Sequence, residues 1–134
     1  MIAYIFKANS ISFSFILLII FLSLITSGCS PHPGAGNWKA DGSNTLNVSR
    51  IKVVFEGTAD FYRESNNVED ASEESIRRCF WSAVGKNALQ MQCVHSDNTD
   101  KKETYQFTVT ETGQAKLNQN DQLIGLFSVH PQEK

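Results

Sequence analysis

Much of the chain beyond Arg50 is written in short segments that are apolar at every second position. In Arg50–Phe55, Ile51, Val53 and Phe55 share one phase while Lys52 and Val54 take the other. Period two marks a strand with one buried face, because successive side chains leave a pleated strand on opposite sides. A turn at Gly57 leads to a second strand over Ala59–Tyr62. Residues 64–76 (ESNNVEDASEESI) are polar and acidic, carry no apolar stripe, and are expected to make the longest loop.

The next segments predict a register residue by residue. A three-residue loop at Gly85-Lys86-Asn87, with Asn87 in the left-handed conformation, sets Val84 opposite Ala88. Counting outward pairs Ala83 with Leu89, Trp81 with Met91 and Cys79 with Cys93, so that one face is wholly apolar. Ser82 with Gln90 and Phe80 with Gln92 make the other face. A slip of one residue would mix the two faces and take the cysteines out of opposition. Downstream, Tyr105, Phe107 and Val109 point inward, with Thr104, Gln106, Thr108 and Thr110 outward. A loop at Glu111-Thr112-Gly113, where Gly113 supplies a positive φ, pairs Val109 with Ala115 and Phe107 with Leu117. A turn around Gln119-Asn120-Asp121 then pairs Leu117 with Leu123 and brings Gly125, Phe127 and Val129 to the inner face.

With a first strand at Trp38, about eight antiparallel strands follow one another through short loops. That is the number at which a sheet closes on an interior filled by side chains. The expected fold class is all-β, a small antiparallel up-and-down barrel. A two-sheet β-sandwich is the alternative, if the loop at 64–76 separates the strands.

The beginning of the chain follows a different rule. One lysine, Lys7, precedes an apolar run from Ile11 to Leu24, which ends in Thr26-Ser27-Gly28 directly before Cys29. A charged start, an apolar stretch and small residues at the cut define a secretory signal peptide. With cysteine first after the cut, the junction resembles the lipobox of bacterial lipoproteins, although Thr26 stands where leucine is commonest in that family. The resemblance covers residues 1–29. It implies a signal peptide over 1–28, cleavage before Cys29, a diacylglycerol on the Cys29 thiol and a palmitate-type acyl chain on its new amino group. An uncleaved anchor is the bland alternative, but Ser12, Ser14 and Ser23 interrupt the run, which falls short of the roughly 20 apolar residues of a membrane span. Ser30, where members kept in the inner membrane usually carry Asp, implies an outer-membrane anchor facing the periplasm.

Residues 29–36, rich in proline and glycine, read as a lipidated tether, and 37–134 as the β domain. Gly36-Asn37-Trp38 resembles the opening of lipocalin-like barrels, in which the tryptophan plugs one end. Only the architecture is implied by that likeness.

The chain holds three cysteines. The lipid takes Cys29, which leaves Cys79 and Cys93 as an even pair in an oxidising compartment, and the register independently sets them face to face. All 14 acidic residues lie after Gly28, whereas Lys7, one of the 12 basic ones, lies before it. A mildly acidic domain without a concentrated basic face excludes nucleic acid as a partner.

No residues suggest catalysis, a cofactor or a metal. His32, His95 and His130 stand at no metal-ligand spacing and read as surface histidines. No serine lies in a nucleophile elbow. Trp38, Phe55, Phe61, Trp81, Tyr105, Phe107 and Phe127 fall on the inward phase, which suits a solid core better than a ligand cavity. Tyr62 and Phe80 fall outward and form the candidate binding surface. The expectation is therefore a membrane-anchored envelope lipoprotein, not an enzyme, that binds or scaffolds an envelope protein in the periplasm. One alternative is a carrier or sensor of a small hydrophobic ligand. Another is a protein loosely similar to the periplasmic lysozyme inhibitors of the lipoprotein type, whose inhibitory motif has no counterpart here.

Overall fold

The structure, a computed structural model, describes residues 30–64 and 73–130. The expected signal peptide, Cys29, the acidic stretch 65–72 and the last four residues lie outside the described residues. Eight strands follow in chain order: β1 (Gly36–Ala40), β2 (Arg50–Val54), β3 (Thr58–Arg63), β4 (Glu74–Ala83), β5 (Ala88–His95), β6 (Lys102–Val109), β7 (Gln114–Gln119) and β8 (Gln122–Val129). Each pairs antiparallel with its neighbour, and β1 pairs with β8 to close the barrel. The sandwich is ruled out by that closure. No helix occurs among the described residues.

The interior is built by the inward phase of every strand. Trp38, Ile51, Phe61, Leu89, Met91, Tyr105, Phe107, Leu117 and Phe127 are each at most 2% exposed. The Trp38 indole meets Phe107 edge-on at 5.3 Å between ring centroids, and Phe61 leans on Tyr105 at 5.4 Å. Such offset aromatic pairs add about 0.5–1.5 kcal/mol each beyond the burial itself.

The β4–β5 register is as expected, with Cys79 opposite Cys93, Trp81 opposite Met91 and Ala83 opposite Leu89. Cys79 and Cys93 are joined by a disulfide. The loop conformation differs. Asn87 is not left-handed, because its backbone carbonyl and side-chain amide bond the N–H and C=O of Val109 and extend the β5–β6 ladder. Ala83 and Val84 are exposed, so on β4 the covered apolar face ends at Trp81, whereas on β5 Leu89, opposite Ala83, stays fully buried.

Gly113 does take a positive φ, and Val109–Ala115 and Phe107–Leu117 pair as expected. The last hairpin is tighter than anticipated. Asn120 and Asp121 both have positive φ and form a two-residue turn, the geometry that matches strand twist. A bulge between Leu117 and Asn118 then sets Leu117 opposite Gly125 instead of Leu123. The extra residue restores the inward phase, so Phe127 is buried while Leu123 is 55% exposed.

Two further expectations are corrected. Phe55 lies in the turn after β2 and is 70% exposed, since the strand ends at Val54 and Gly57 N–H bonds the Val54 carbonyl. The loop expected over 64–76 ends at Glu73, because Glu74–Ile76 begin β4 across a bulge from Tyr62.

The disulfide closes a loop of 14 residues, for which the chain-entropy model gives about 3 kcal/mol. Replacing both cysteines by alanine should lower the unfolding free energy by an amount near that value, read from the midpoint and slope of a urea titration, and reductant should leave the variant unchanged. Equal midpoints for the variant and the oxidised parent would show that the bridge adds nothing to stability.

Candidate functional site

Tyr62 and Phe80 both leave the barrel on its outside, but they do not form one patch. Tyr62 faces Arg50 and Ser75, whereas Phe80 faces Thr58 and Gln92. Four residues of β3 separate those rows, about 13 Å at roughly 3.3 Å per residue. The Tyr62 ring is half-buried beneath the Arg50 guanidinium, which sits 4.1 Å from its centroid. Arg50 in turn donates to Glu73 at 2.6 Å and to Asn37 at 3.1 Å. The Glu73 hydrogen bond is the chief reason its charged form is favoured. Tyr62 is thus part of a surface clamp, and Phe80, 75% exposed, is the ring that is free to bind.

Phe80 has neutral surroundings on one side. Its row continues across β5 and β6 as Gln92 and Thr104, and the adjacent row runs Ser82, Gln90, Gln106, Asn118. A shallow hollow of about 330 Å³ lies over Gln90, Thr104, Gln106 and Asn118. By contrast, the row on the other side of Phe80 alternates charge as Lys52, Asp60, Arg78, Val94, Lys102. A strip of amide and hydroxyl groups beside one exposed ring can offer hydrogen bonds in both directions without desolvating a charge.

Inside the barrel, a polar cluster lies on β4, β5 and β6 toward the end that carries loops 41–49 and 96–101. Arg77 is the buried cation, only 8% exposed, and its Nε donates to Glu103 at 2.7 Å. The Tyr105 hydroxyl donates a short hydrogen bond to the same carboxylate oxygen. His95 Nε2 lies 3.0 Å from the other oxygen. These residues converge because Arg77 pairs with His95 on β4–β5 and Glu103 pairs with Cys93 on β5–β6. Burial by itself would push the Glu103 carboxyl up. The hydrogen bonds from Arg77, Tyr105 and His95, with the guanidinium charge, outweigh it and hold the carboxyl at about 2. Burial first, and then the bond to Glu103, push the Tyr105 phenol well above its ordinary value.

Sequence reasoning passes over this cluster and takes His95 for a simple surface histidine. The signal is present in the phase: Arg77 stands two residues before Cys79 and Glu103 two before Tyr105, so both face inward. Chemically the cluster resembles a structural plug, since both oxygens of Glu103 are already engaged within it.

His32 is also structural. Its Nε2 donates to the Gly85 carbonyl at 2.9 Å and its Nδ1 accepts from Gly34 N–H at 3.1 Å. Among the described residues, no three His, Cys, Asp or Glu side chains converge as a metal-holding group. Comparisons with protein families, with curated proteins and with solved structures found no match to this chain.

Removing one member of a buried ion pair costs about 3–5 kcal/mol, and Glu103 keeps 24% of its side chain in water, which reduces the figure here to about 2–3 kcal/mol for Glu103→Leu. Arg77→Met together with Glu103→Leu should recover most of that loss, as judged by chemical denaturation. Acid gives an independent reading. The Glu103 carboxyl is depressed in the fold from 4.5 to about 2, so its stabilisation is complete above pH 4.5 and is lost as pH falls towards 2. Glu103→Gln should therefore flatten the acid-destabilisation curve in that window, measured as melting temperature against pH.

Proposed function

We propose that this chain is a lipid-anchored protein of the bacterial cell envelope, held to the outer membrane through acylated Cys29. Its barrel is a non-enzymatic binding or scaffolding domain in the periplasm. The observation that carries this reading is the pairing of Cys79 with Cys93. It consumes both cysteines beyond the leader and leaves Cys29 alone at the junction where the lipobox pattern needs a free thiol. A buried disulfide also suits an oxidising compartment.

The interior supports binding through the outside. Nine large side chains fill the space in which a carrier would hold its ligand, which counts against the carrier reading. The neutral strip around Phe80 is the surface suited to an envelope protein, with an aromatic anchor beside groups that can pair in either direction. Nothing in the fold favours the lysozyme-inhibitor reading.

Metabolic labelling with a fatty-acid analogue tests the anchor. The parent chain should incorporate the label and Cys29→Ser should not. Equal incorporation in both would end the lipoprotein reading. For the surface, Phe80→Ser should change stability by no more than about 0.5 kcal/mol, as exposed substitutions usually do. The same change should weaken cross-linking to an envelope partner in intact cells. Unchanged cross-links would move the binding surface elsewhere.

A further inference from the structure

Strand direction assigns every loop to one end of the barrel or the other. The chain arrives at Pro31 on the same end as the turns at 55–57, 84–87 and 110–113 and the end of β8. Loops 41–49 and 96–101, the turn at 120–121, the end of β3 and the start of β4 occupy the opposite end.

The described part of the arriving segment is fastened to the barrel. Ala35 N–H bonds the His32 carbonyl at 2.8 Å, Trp38 Nε1 donates to the Gly34 carbonyl at 2.9 Å, and His32 is tied to Gly85. Gly34 is buried, and a Cβ there would meet Leu89 Cδ1 at 2.7 Å. The segment therefore folds across the barrel mouth and fixes where the chain departs. Three residue steps separate His32 from Cys29, and they span at most about 11 Å when fully extended.

Exposed apolar residues concentrate around that point. Phe55 is 70%, Val129 60% and Val84 54% exposed, and all three stand on this rim. Phe80 lies on the barrel side one row further in, and among the described large apolar residues that are exposed, only Leu123 belongs to the far end. Phe55 and Pro31 share an open hollow of about 300 Å³ with Val53 and Val54. Charge follows the opposite gradient. The loops of this rim hold the acids Glu56 and Glu111, whereas Asp41, Glu64, Glu73, Asp97, Asp100 and Asp121 stand in the loops of the other end.

We infer that this rim is a docking face for a phospholipid surface, with Phe55, Val84 and Val129 seated at headgroup level and the acidic end turned away. The inference rests on the reading of Cys29 as acylated, since an acyl chain within about 11 Å of His32 leaves the rim close to the bilayer. Among the described residues no cluster of basic side chains marks the rim, so apolar insertion, not attraction to anionic lipid, is the recognising chemistry. Docking of this kind orients the barrel, presenting its flank and the far end to the periplasm.

The full-length protein, carrying photoreactive benzoylphenylalanine in place of Phe55, Val84 or Leu123, tests this in vesicles of phosphatidylethanolamine and phosphatidylglycerol. Phospholipid adducts are expected at positions 55 and 84, and several-fold fewer at 123. The adducts should persist in high salt. Equal yields at all three positions would overturn the inference, as would protein adducts in place of lipid ones at 55 and 84. The mass of the amino-terminal peptide, read in the same samples, reports acylation separately. An acylated Cys29 without lipid adducts at the rim refutes docking and leaves the anchor standing. Rim adducts on a chain without an acyl group refute the anchor and leave docking supported by the apolar rim alone.

Discussion

Closure of the sheet between β1 and β8 is the constraint on which everything else depends. It rests on three residue pairs, Trp38–Val129, Lys39–Ser128 and Ala40–Phe127. Without it, β1 and β8 would present open edges, which are templates for association with other chains. Three pairs of backbone groups are a thin seam, and Trp38 reinforces it. The indole is buried at 2% exposure, donates to the Gly34 carbonyl and meets Phe107 on another wall of the barrel. One residue thus couples the seam, the mouth and the core. Deleting such a side chain costs about 3–5 kcal/mol in ordinary cores. Here the cost would fall on the strand that holds the barrel shut.

A closed barrel has two ends to seal, and this one seals them by different physics. At the end where Pro31 arrives, the turn over His32–Ala35 lies across the mouth, with Gly34 pressed onto Leu89. Close approach of backbone to core is possible there because glycine has no side chain to displace. Toward the other end Arg77, opposite Phe61, and Glu103, opposite Cys93, take inward positions among apolar residues. An ion pair in such a place is costly to desolvate, and hydrogen bonds from Tyr105 and His95 offset the cost by satisfying the carboxylate. The two seals differ in kind: backbone pressed onto the core closes the mouth, while the polar plug weakens as Glu103 takes up a proton.

Alternation makes the strands legible, and opposition of like residues makes the β4–β5 register legible down to Cys79 and Cys93. What cannot be read is any feature set by an extra residue or by a strand end. The bulge after Leu117 has no counterpart in the apolar pattern, since Leu117, Leu123 and Phe127 keep one phase if the turn is assumed longer. Phe55 follows the inward phase of β2, but the chain turns one residue earlier, and so the phase no longer applies. Asn87 has the chemistry of a left-handed turn residue and is claimed by Val109 instead, a partner far away in sequence. Tyr62 and Phe80 do lie outside, yet their separation depends on which residues each one faces across β3 and β4. Arg77 and Glu103 are open to discovery from phase alone. They escape because charged side chains are expected at surfaces, and phase is followed only where it is apolar.

The asymmetry of the two ends bears directly on how a barrel with a filled interior can work. On the proposed reading of a tethered binding domain, the filled interior leaves specificity to the outer surface, and a symmetric surface would give no preferred orientation. This barrel is not symmetric. Phe55, Val84 and Val129 ring the end at which the chain arrives, charged loops crown the other, and a neutral strip from Ser82 to Asn118 runs along one flank. Residues at i and i+2 on a strand share a face, so Phe80 and Ser82 place that strip immediately below the apolar rim. If the rim rests on a bilayer, the flank stands upright just above the headgroups. A partner that met Phe80 there would have to be membrane-associated itself or lie flat against the same surface. On that reading the rim restricts which molecules reach the flank, a selection by geometry that needs no pocket.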